Sequence, residues 1–384
     1  MDDTVRKKVV VGCQGGGAHA AFEVGVLTEI LKDIEQNKRF DLIGISGTSA
    51  GALCALMVWY GLAPKSGQNG SPCEASERLN SFWDDFAAQT PAEILLNATA
   101  YRAIKAQEAE LPVLGVNAPV FGLNPSGLIS KAVTASLPPL GVRKEYYDFD
   151  TMIASACPDF DRVDWPEVRT RILLGASEVI NGIETVFDSE RNRGGGGTPT
   201  VVHRWRQQLP LTLSGIAASG SLPTLREAER IGRQYFWDGL YSQNPPIREF
   251  VAGAPDEKVP DEVWIIRINP QQWPELPVTT ADIEDRQNEL MGNLSLNKEL
   301  DFILTVNEWC DKYRNEGFGR DHRKIIVRTI KMRQATADKL RFSSKFNRSR
   351  EFMNQLRDEG RDVAEEWLSQ WPQKICYPDD AAYV

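Results

Sequence analysis

The stretch from residue 8 to residue 27, KVVVGCQGGGAHAAFEVGVL, does most to limit what this chain can fold into. An apolar β-type run, Val9 to Val11, passes through Gly12 and Gly15 to Gly17 into a segment with Leu27, Ile30, Leu31 and Ile34 at helical spacing. That order predicts strand, turn, helix. Such a turn aims bare backbone N–H groups at a helix N-terminus toward something negative, either a bound phosphate or an anion that exists only during a reaction. Glycine at a tight βα turn also serves conformation alone, so the stretch fixes a topology and leaves its use open.

A second unit follows at once. FDLIGISGTSAGALCALMVWYGLAP reads as a strand ending near Ser46, a turn of small residues, and an apolar helix that stops at Gly61 and Pro64, so the first 62 residues predict a βαβα unit. Residues 65 to 76 form a polar loop, and Arg78 to about Leu137 reads as helices and irregular apolar pieces, expected to cap the core. Further on, RILLGASEVI, the Asn181-Gly182 turn and ETVFDS predict a hairpin. RNRGGGGTPT (191 to 200) is the most flexible-looking run. Then come the helix-like LTLSGIAASGSLP, the strand-like RQYFWDGLYSQNPP, the buried strand VWIIRI, a long charged helix near 279 to 315, the strand KIIVRTI and a C-terminal helix around 348 to 371. Strands alternating with helices imply a layered α/β sheet.

Composition closes off several classes of function. The 384 residues carry a net charge of -9, which offers no basic surface to nucleic acid, and 42% hydrophobic against 25% charged residues is ordinary for a soluble globular chain. No N-terminal apolar stretch reads as a signal peptide, and no run reaches the roughly 20 apolar residues that cross a bilayer, so the expectation is a cytoplasmic protein able to sit peripherally at a membrane, or one exported by a route that leaves no such signal. Six cysteines (Cys13, Cys54, Cys73, Cys157, Cys310, Cys376) without a C-x-x-C pair, and only three histidines, suggest neither a disulfide framework nor a zinc site. Reduced and mostly buried thiols are expected.

Gly47-Thr48-Ser49-Ala50-Gly51 is a G-x-S-x-G sequence between a strand and a helix, the setting that lifts a serine hydroxyl clear of the backbone. A nucleophilic serine needs a base. Of His19, His203 and His322, only His322 follows the later aspartates, so a triad would join Ser49, an acid such as Asp238, and His322. Its setting, GRDHRKIIV, reads as a solvated loop; His203 in VVHRWR reads as an edge-strand residue, and His19, in the first turn of a helix, is expected to stay neutral beside the positive end of the dipole. Asp238 offers another route. It ends the aromatic strand Tyr235-Phe236-Trp237 and precedes Gly239, with Asn244-Pro245-Pro246 beyond, and a carboxyl held against buried rings can have a raised pKa and act directly on a serine. An acid before glycine is also a common turn.

Taken together, G-G-G after a first strand, G-T-S-A-G about 30 residues later and D-G far downstream followed by N-P resemble the patatin-like phospholipase family, and AFEVGVL and IAASGSLP agree with it. The resemblance implies a three-layer α/β/α sandwich with a helical cap insertion. Residues 1–345 would form the catalytic domain, with the insertion at about 65–140, and 346–384 a C-terminal helical extension packed on the core. It also implies a serine–aspartate dyad without histidine: Ser49 as nucleophile, Asp238 as base, Gly15, Gly16 and Gly17 as oxyanion-binding amides, with Gly47, Gly51 and Gly239 supporting the motifs. No cofactor or metal is implied. The activity implied is a phospholipase A or lysophospholipase-type serine esterase on phospholipid or another acyl ester at a transient membrane surface. Acyl thioester or polyester hydrolysis is an alternative within the same chemistry. Three positions depart from the family. Ala18, His19 and Ala20 follow the glycines where the family usually places a small or apolar residue, a basic residue and a further glycine, so His19 and Ala20 differ, and Leu240 stands where it generally has glycine or alanine. A nucleotide-binding regulatory module with Gly12 to Gly17 as phosphate loop is the non-enzyme alternative. Gln14 and Ala20 break its spaced-glycine fingerprint, and no Lys-Ser or Lys-Thr follows. Trp59, Tyr60 and Trp83 read first as core or rim residues, with contact to the lipid surface as the alternative. Leu95, Leu96, Val113, Leu114, Val116, Val120, Phe121 and Leu123 are expected to line or cover the route to Ser49.

Overall fold

A computed structural model describes residues 6–108, 140–193, 200–203, 205–223, 226–252, 258–273, 275–314, 317 and 322–373. Ten strands make one sheet: β1 (Lys7–Cys13), β2 (Phe40–Gly47), β3 (Arg171–Glu178), β4 (Ile183–Asp188), β5 (Thr200–His203), β6 (Arg206–Pro210), β7 (Glu229–Ile231), β8 (Gln234–Asp238), β9 (Glu262–Arg267) and β10 (Ile326–Lys331). The order is β10-β9-β1-β2-β3-β4-β6-β5, and β8, paired with β7, also borders β3. β10, β9, β1, β2 and β3 run parallel, so the ends of β1, β2 and β9 open on the same edge of the sheet, where α/β proteins place their sites. The expected Asn181-Gly182 hairpin is present, with β3 and β4 antiparallel across it.

Side chains leave a strand alternately, and the packing follows that period. Val9, Val11 and Cys13 enter one apolar cluster together with Trp264 and Ile266 of β9, while Val10, Val263 and Ile265 enter another on the opposite face. On the first face lie α1 (Ala21–Gln36), α2 (Ala50–Leu62) and α3 (Pro72–Phe86) and, beyond α4 (Pro91–Glu108) in the chain, α5 (Phe149–Ala156) and α6 (Leu213–Ser219). The second face is covered by α7 (Thr280–Lys312) through Leu296, Leu300 and Ile303, with Ile247 and Phe250. The last helix, α8 (Arg350–Gln370), returns to the first face. Helices on both faces of a largely parallel sheet make three layers, α/β/α.

The expected C-terminal extension shares the central core. Met353, Leu356, Ala364 and Leu368 of α8 join the same cluster as α1, and the two helices cross where Gly25 and Gly360 leave the backbones room to approach. The ring of Trp264 meets Trp367 at 4.7 Å and Trp371 at 5.5 Å.

The expected cap differs. α3, started by the Ser71 hydroxyl on the Glu74 N–H, buries Ala75, Leu79, Phe82 and Trp83 in the main cluster and is a core helix. α4 leaves Ile94, Leu95 and Leu96 exposed. Val113, Leu114, Val116, Val120, Phe121 and Leu123 lie outside the described residues, as does most of the glycine run 194–199. Trp59, Tyr60 and Trp83 are fully buried, which agrees with their reading as core residues and leaves none of them at a lipid surface: Trp59 stacks on Trp165 at 5.6 Å. α2 is apolar on every side, which is the pattern of a helix surrounded by protein.

Candidate active site

Ser49 sits between β2 and α2 at φ 56° and ψ −127°, a left-handed conformation that a residue with a β-carbon rarely adopts. Its neighbours hold it there. The Ser49 N–H donates to the Ser219 carbonyl at 3.0 Å, and the Thr48 hydroxyl donates to the Gln243 carbonyl at 2.7 Å. Gly47 and Gly51 pack so closely that a β-carbon on Gly47 would run into the Gly51 carbonyl, and one on Gly51 into that of Cys13. The turn is therefore wedged against the end of β1 and presents its hydroxyl outward.

Asp238 reaches the same place through two ladders. Leu174 of β3 lies opposite Gly47, and Ala176, two residues on, lies opposite Asp238. Asp238 is completely buried; its Oδ1 accepts the Leu240 N–H at 2.8 Å, and its Oδ2 has no hydrogen-bond partner among the described residues. Burial pushes its pKa up to about 7, while the nearby Ser49 side chain and the Leu240 amide pull in the opposite direction. Gly239 packs on the Gly175 backbone with no space for a side chain. Leu240, the residue that departs from the family, caps the carboxyl through its amide and turns its side chain to the cavity wall.

The glycine loop is clamped by amide side chains. Asn244 Oδ1 accepts the Gly15 N–H at 2.6 Å, and Asn269 Nδ2 donates to the Gly15 carbonyl at 2.9 Å. Gln14 Oε1 accepts the Ile268 and Asn269 N–H groups, and its Nε2 donates to Asn293 Oδ1 at 2.8 Å. Of the three expected oxyanion-binding amides, that of Gly15 already donates to Asn244. Among the described residues no acceptor takes the amides of Gly16 and Gly17. They open the helical turn Gly17–Ala20 that runs into α1, and Gly17 needs its φ of 59° to start that turn.

Gly15, Gly16, Gly17, Ser49 and Asp238 line one cavity of about 220 Å³ with apolar walls from Leu222, Pro223, Leu240, Tyr241, Phe342 and Phe346. The described structure brings no histidine into it. His19 is buried with Nε2 at 2.7 Å from Ser344 Oγ, and burial, then Lys345, lowers its pKa; neutrality was expected, but desolvation is its first cause. His322 precedes β10, at the sheet edge opposite the one where Ser49 follows β2. His203 lies on β5, the outermost strand at the far end of the sheet. Asn269, Gln14 and Lys345 were not singled out from the sequence as parts of the site. Asn269-Pro270 after a buried strand was the one local signal.

Residues 13–71 match the family model for patatin-like phospholipase. Over that segment the chain is similar to the family. The matched segment runs from the end of β1 through the glycine loop, α1, β2 and the Ser49 turn to α2 and up to the start of α3, and Asp238 lies beyond it. VipD from Legionella pneumophila aligns over 95% of this chain and 67% of its own, with 12% identity and a TM-score of 0.40. The type III effector protein ExoU aligns over 95% and 53%, with 13% identity and a TM-score of 0.33. The ExoU–SpcU complex of the Pseudomonas aeruginosa type III secretion system gives 95% and 51%, 14% identity and a TM-score of 0.32. The chain thus spans about half the length of the ExoU chains. Among curated protein sequences none matches.

Proposed function

We propose that the protein is a lipid acyl hydrolase of the phospholipase A or lysophospholipase type, working through Ser49 and Asp238. One observation carries the reading: a serine in a left-handed turn shares a cavity with a fully buried carboxyl that has an unpartnered oxygen and a pKa of about 7. A base of that strength takes a hydroxyl proton near neutral pH and gives it back to a leaving group.

Asp238 accepts the proton of Ser49 Oγ as that oxygen attacks the ester carbonyl. The amides of Gly16 and Gly17 receive the oxyanion of the tetrahedral intermediate, each donor supplying about 3 kcal/mol in the transition state. Collapse breaks the ester bond, and Asp238 delivers its proton to the departing alcohol. Water, deprotonated by Asp238, then attacks the acyl-serine and releases the fatty acid. A nucleotide phosphate in this loop is disfavoured by Gln14 and Ala20, which break the spaced-glycine fingerprint. The substrate would be met at a membrane surface by a peripheral protein; no helix among the described residues is long and apolar enough to cross a membrane.

The test is a panel of phospholipids, lysophospholipids, acyl thioesters and polyesters, with products followed by mass spectrometry for wild type and Ser49→Ala. Fatty-acid release from the lipids that disappears in Ser49→Ala supports the reading. Release from thioester or polyester alone moves the substrate class, and release that survives Ser49→Ala removes the nucleophile.

A further inference from the structure

His19 is buried and neutral-leaning, so the position after the glycines brings no firm positive charge to the loop. A distant segment brings one instead. Lys345 belongs to the short turn Phe342–Phe346, whose backbone sits on Gly17: a β-carbon at Gly17 would run into the Lys345 carbonyl. Lys345 lines the cavity that holds Ser49, and its Nζ donates to Asn288 Oδ1 of α7 at 2.6 Å, with Asn288 lining the same wall. Among the described residues no carboxylate forms an ion pair with Lys345. Asp285 and Glu289 of α7 act on it from farther away and oppose the lowering of its pKa by burial, and Glu289 is paired with Arg286 at 3.1 Å. An ammonium has three N–H donors, and a single neutral amide accepts one of them. A half-buried cation with donors to spare, at the wall of a cavity, is placed to take an anion from the ligand.

We propose that Lys345 and Asn288 form an anion subsite for the phosphate of the leaving group, which makes the substrate a phosphate-bearing glycerol ester. The proposal rests on the hydrolase reading above. The chemistry fits the size of the cavity. In a glycerophospholipid the ester and the phosphate sit on the same small glycerol, so both reach into a space of about 220 Å³. In an acyl-coenzyme A the phosphates stand at the far end of a long pantetheine arm, and in a neutral glyceride there is nothing for the ammonium to hold. The acyl chain then follows the apolar wall of Leu222, Phe342 and Phe346.

The experiment compares kcat/KM for lysophosphatidylcholine and for monoacylglycerol of the same acyl chain, in wild type, Lys345→Met, Lys345→Gln and Lys345→Arg, with melting temperatures for each. The wild type is expected to favour the lysophospholipid. Removing the charge lowers the ratio of the two kcat/KM values by about 10- to 100-fold, chiefly through KM, and arginine restores most of it. sn-Glycerol 3-phosphate is expected to raise the melting temperature of wild type and to do so much less in the Met and Gln variants. An unchanged ratio in a folded variant, or an equal loss on both substrates, overturns the subsite. If wild type hydrolyses neither lipid, the hydrolase reading fails, while the Lys345-dependent thermal shift with sn-glycerol 3-phosphate still upholds the anion subsite and its absence overturns it. If the Met variant does not fold, the Gln variant and the wild-type shift decide.

Discussion

The side-chain oxygen of Asn244 accepts the N–H of Gly15 at 2.6 Å inside the protein. That bond joins the turn after Asp238 to the loop beside Ser49, whose next two residues, Gly16 and Gly17, line the cavity. Asn244→Ala strands a buried N–H at a cost of about 1–3 kcal/mol and lets the loop shift. The expected result is a kcat reduced roughly 10- to 100-fold, as misplaced oxyanion donors produce, with a melting temperature a few degrees lower. Steady-state kinetics and thermal denaturation check this; a full kcat in the variant would show that the loop holds its shape without Asn244.

Asp238 ties function to a loss of stability. Burial raises its carboxyl pKa to about 7, against a partial offset from Ser49 and the Leu240 amide. Below the ordinary aspartate pKa both folded and unfolded chains keep the proton, and the favourable contribution is complete. It is lost as pH rises through about 7, because the unfolded chain ionises freely and the folded one does so against burial; the total is up to about 4 kcal/mol. Asp238→Asn removes this dependence. The variant is therefore expected to be inactive and to gain melting temperature relative to wild type between pH 4 and pH 8. A difference that stays flat over that range contradicts the raised pKa.

Glu262 behaves in the opposite sense. Burial alone would raise its pKa, but hydrogen bonds from Arg328, Lys7, Trp371 and Trp264 bring it down to about 2. Its contribution is present above the ordinary glutamate pKa and is lost as pH falls toward about 2. Glu262→Gln leaves the buried Arg328 guanidinium without its counter-charge and loosens Trp371 at the end of α8. Urea denaturation at pH 7 is expected to show a loss of about 3–5 kcal/mol. A loss under 1 kcal/mol would mean that the pair is dispensable.

His322→Ala and His203→Ala are expected to keep activity within about tenfold, at most ~1.4 kcal/mol of barrier. One residue precedes a strand at the opposite sheet edge and the other sits at the sheet's far end. Turnover of each variant on a lysophospholipid measures it, and a drop of several orders of magnitude in a folded His322→Ala would restore a histidine base.

Much of this was legible because consecutive residues carry it. Strand, glycine turn and helix lie side by side in the chain, and the Ser49 turn announces itself by small residues on both sides. Asp238 was readable from the aromatic strand that buries it. The clamp was not. Asn269 and Asn293 come from segments whose approach to the glycine loop is set by sheet order, and Lys345 reaches Gly17 from a turn with no local mark of a site. Trp59 and Tyr60 read as core residues because the helix holding them is apolar on every face, while Trp83 is buried because α3 packs on α2 near Gly61 and Ala75. The engaged amide of Gly15 depends on a side chain from the far half of the chain, and no motif around the glycines encodes it.

The central claim is that Ser49 is a nucleophile activated by Asp238, and covalent labelling tests it most directly. The protein is treated with a fluorophosphonate across pH 5 to 9, and the labelled peptide is identified by mass spectrometry. The account predicts a single adduct on Ser49, with a labelling rate that rises through an apparent pKa of about 7 and falls by several orders of magnitude in a folded Asp238→Asn. An adduct elsewhere, or undiminished labelling of Ser49 in Asp238→Asn, would contradict it.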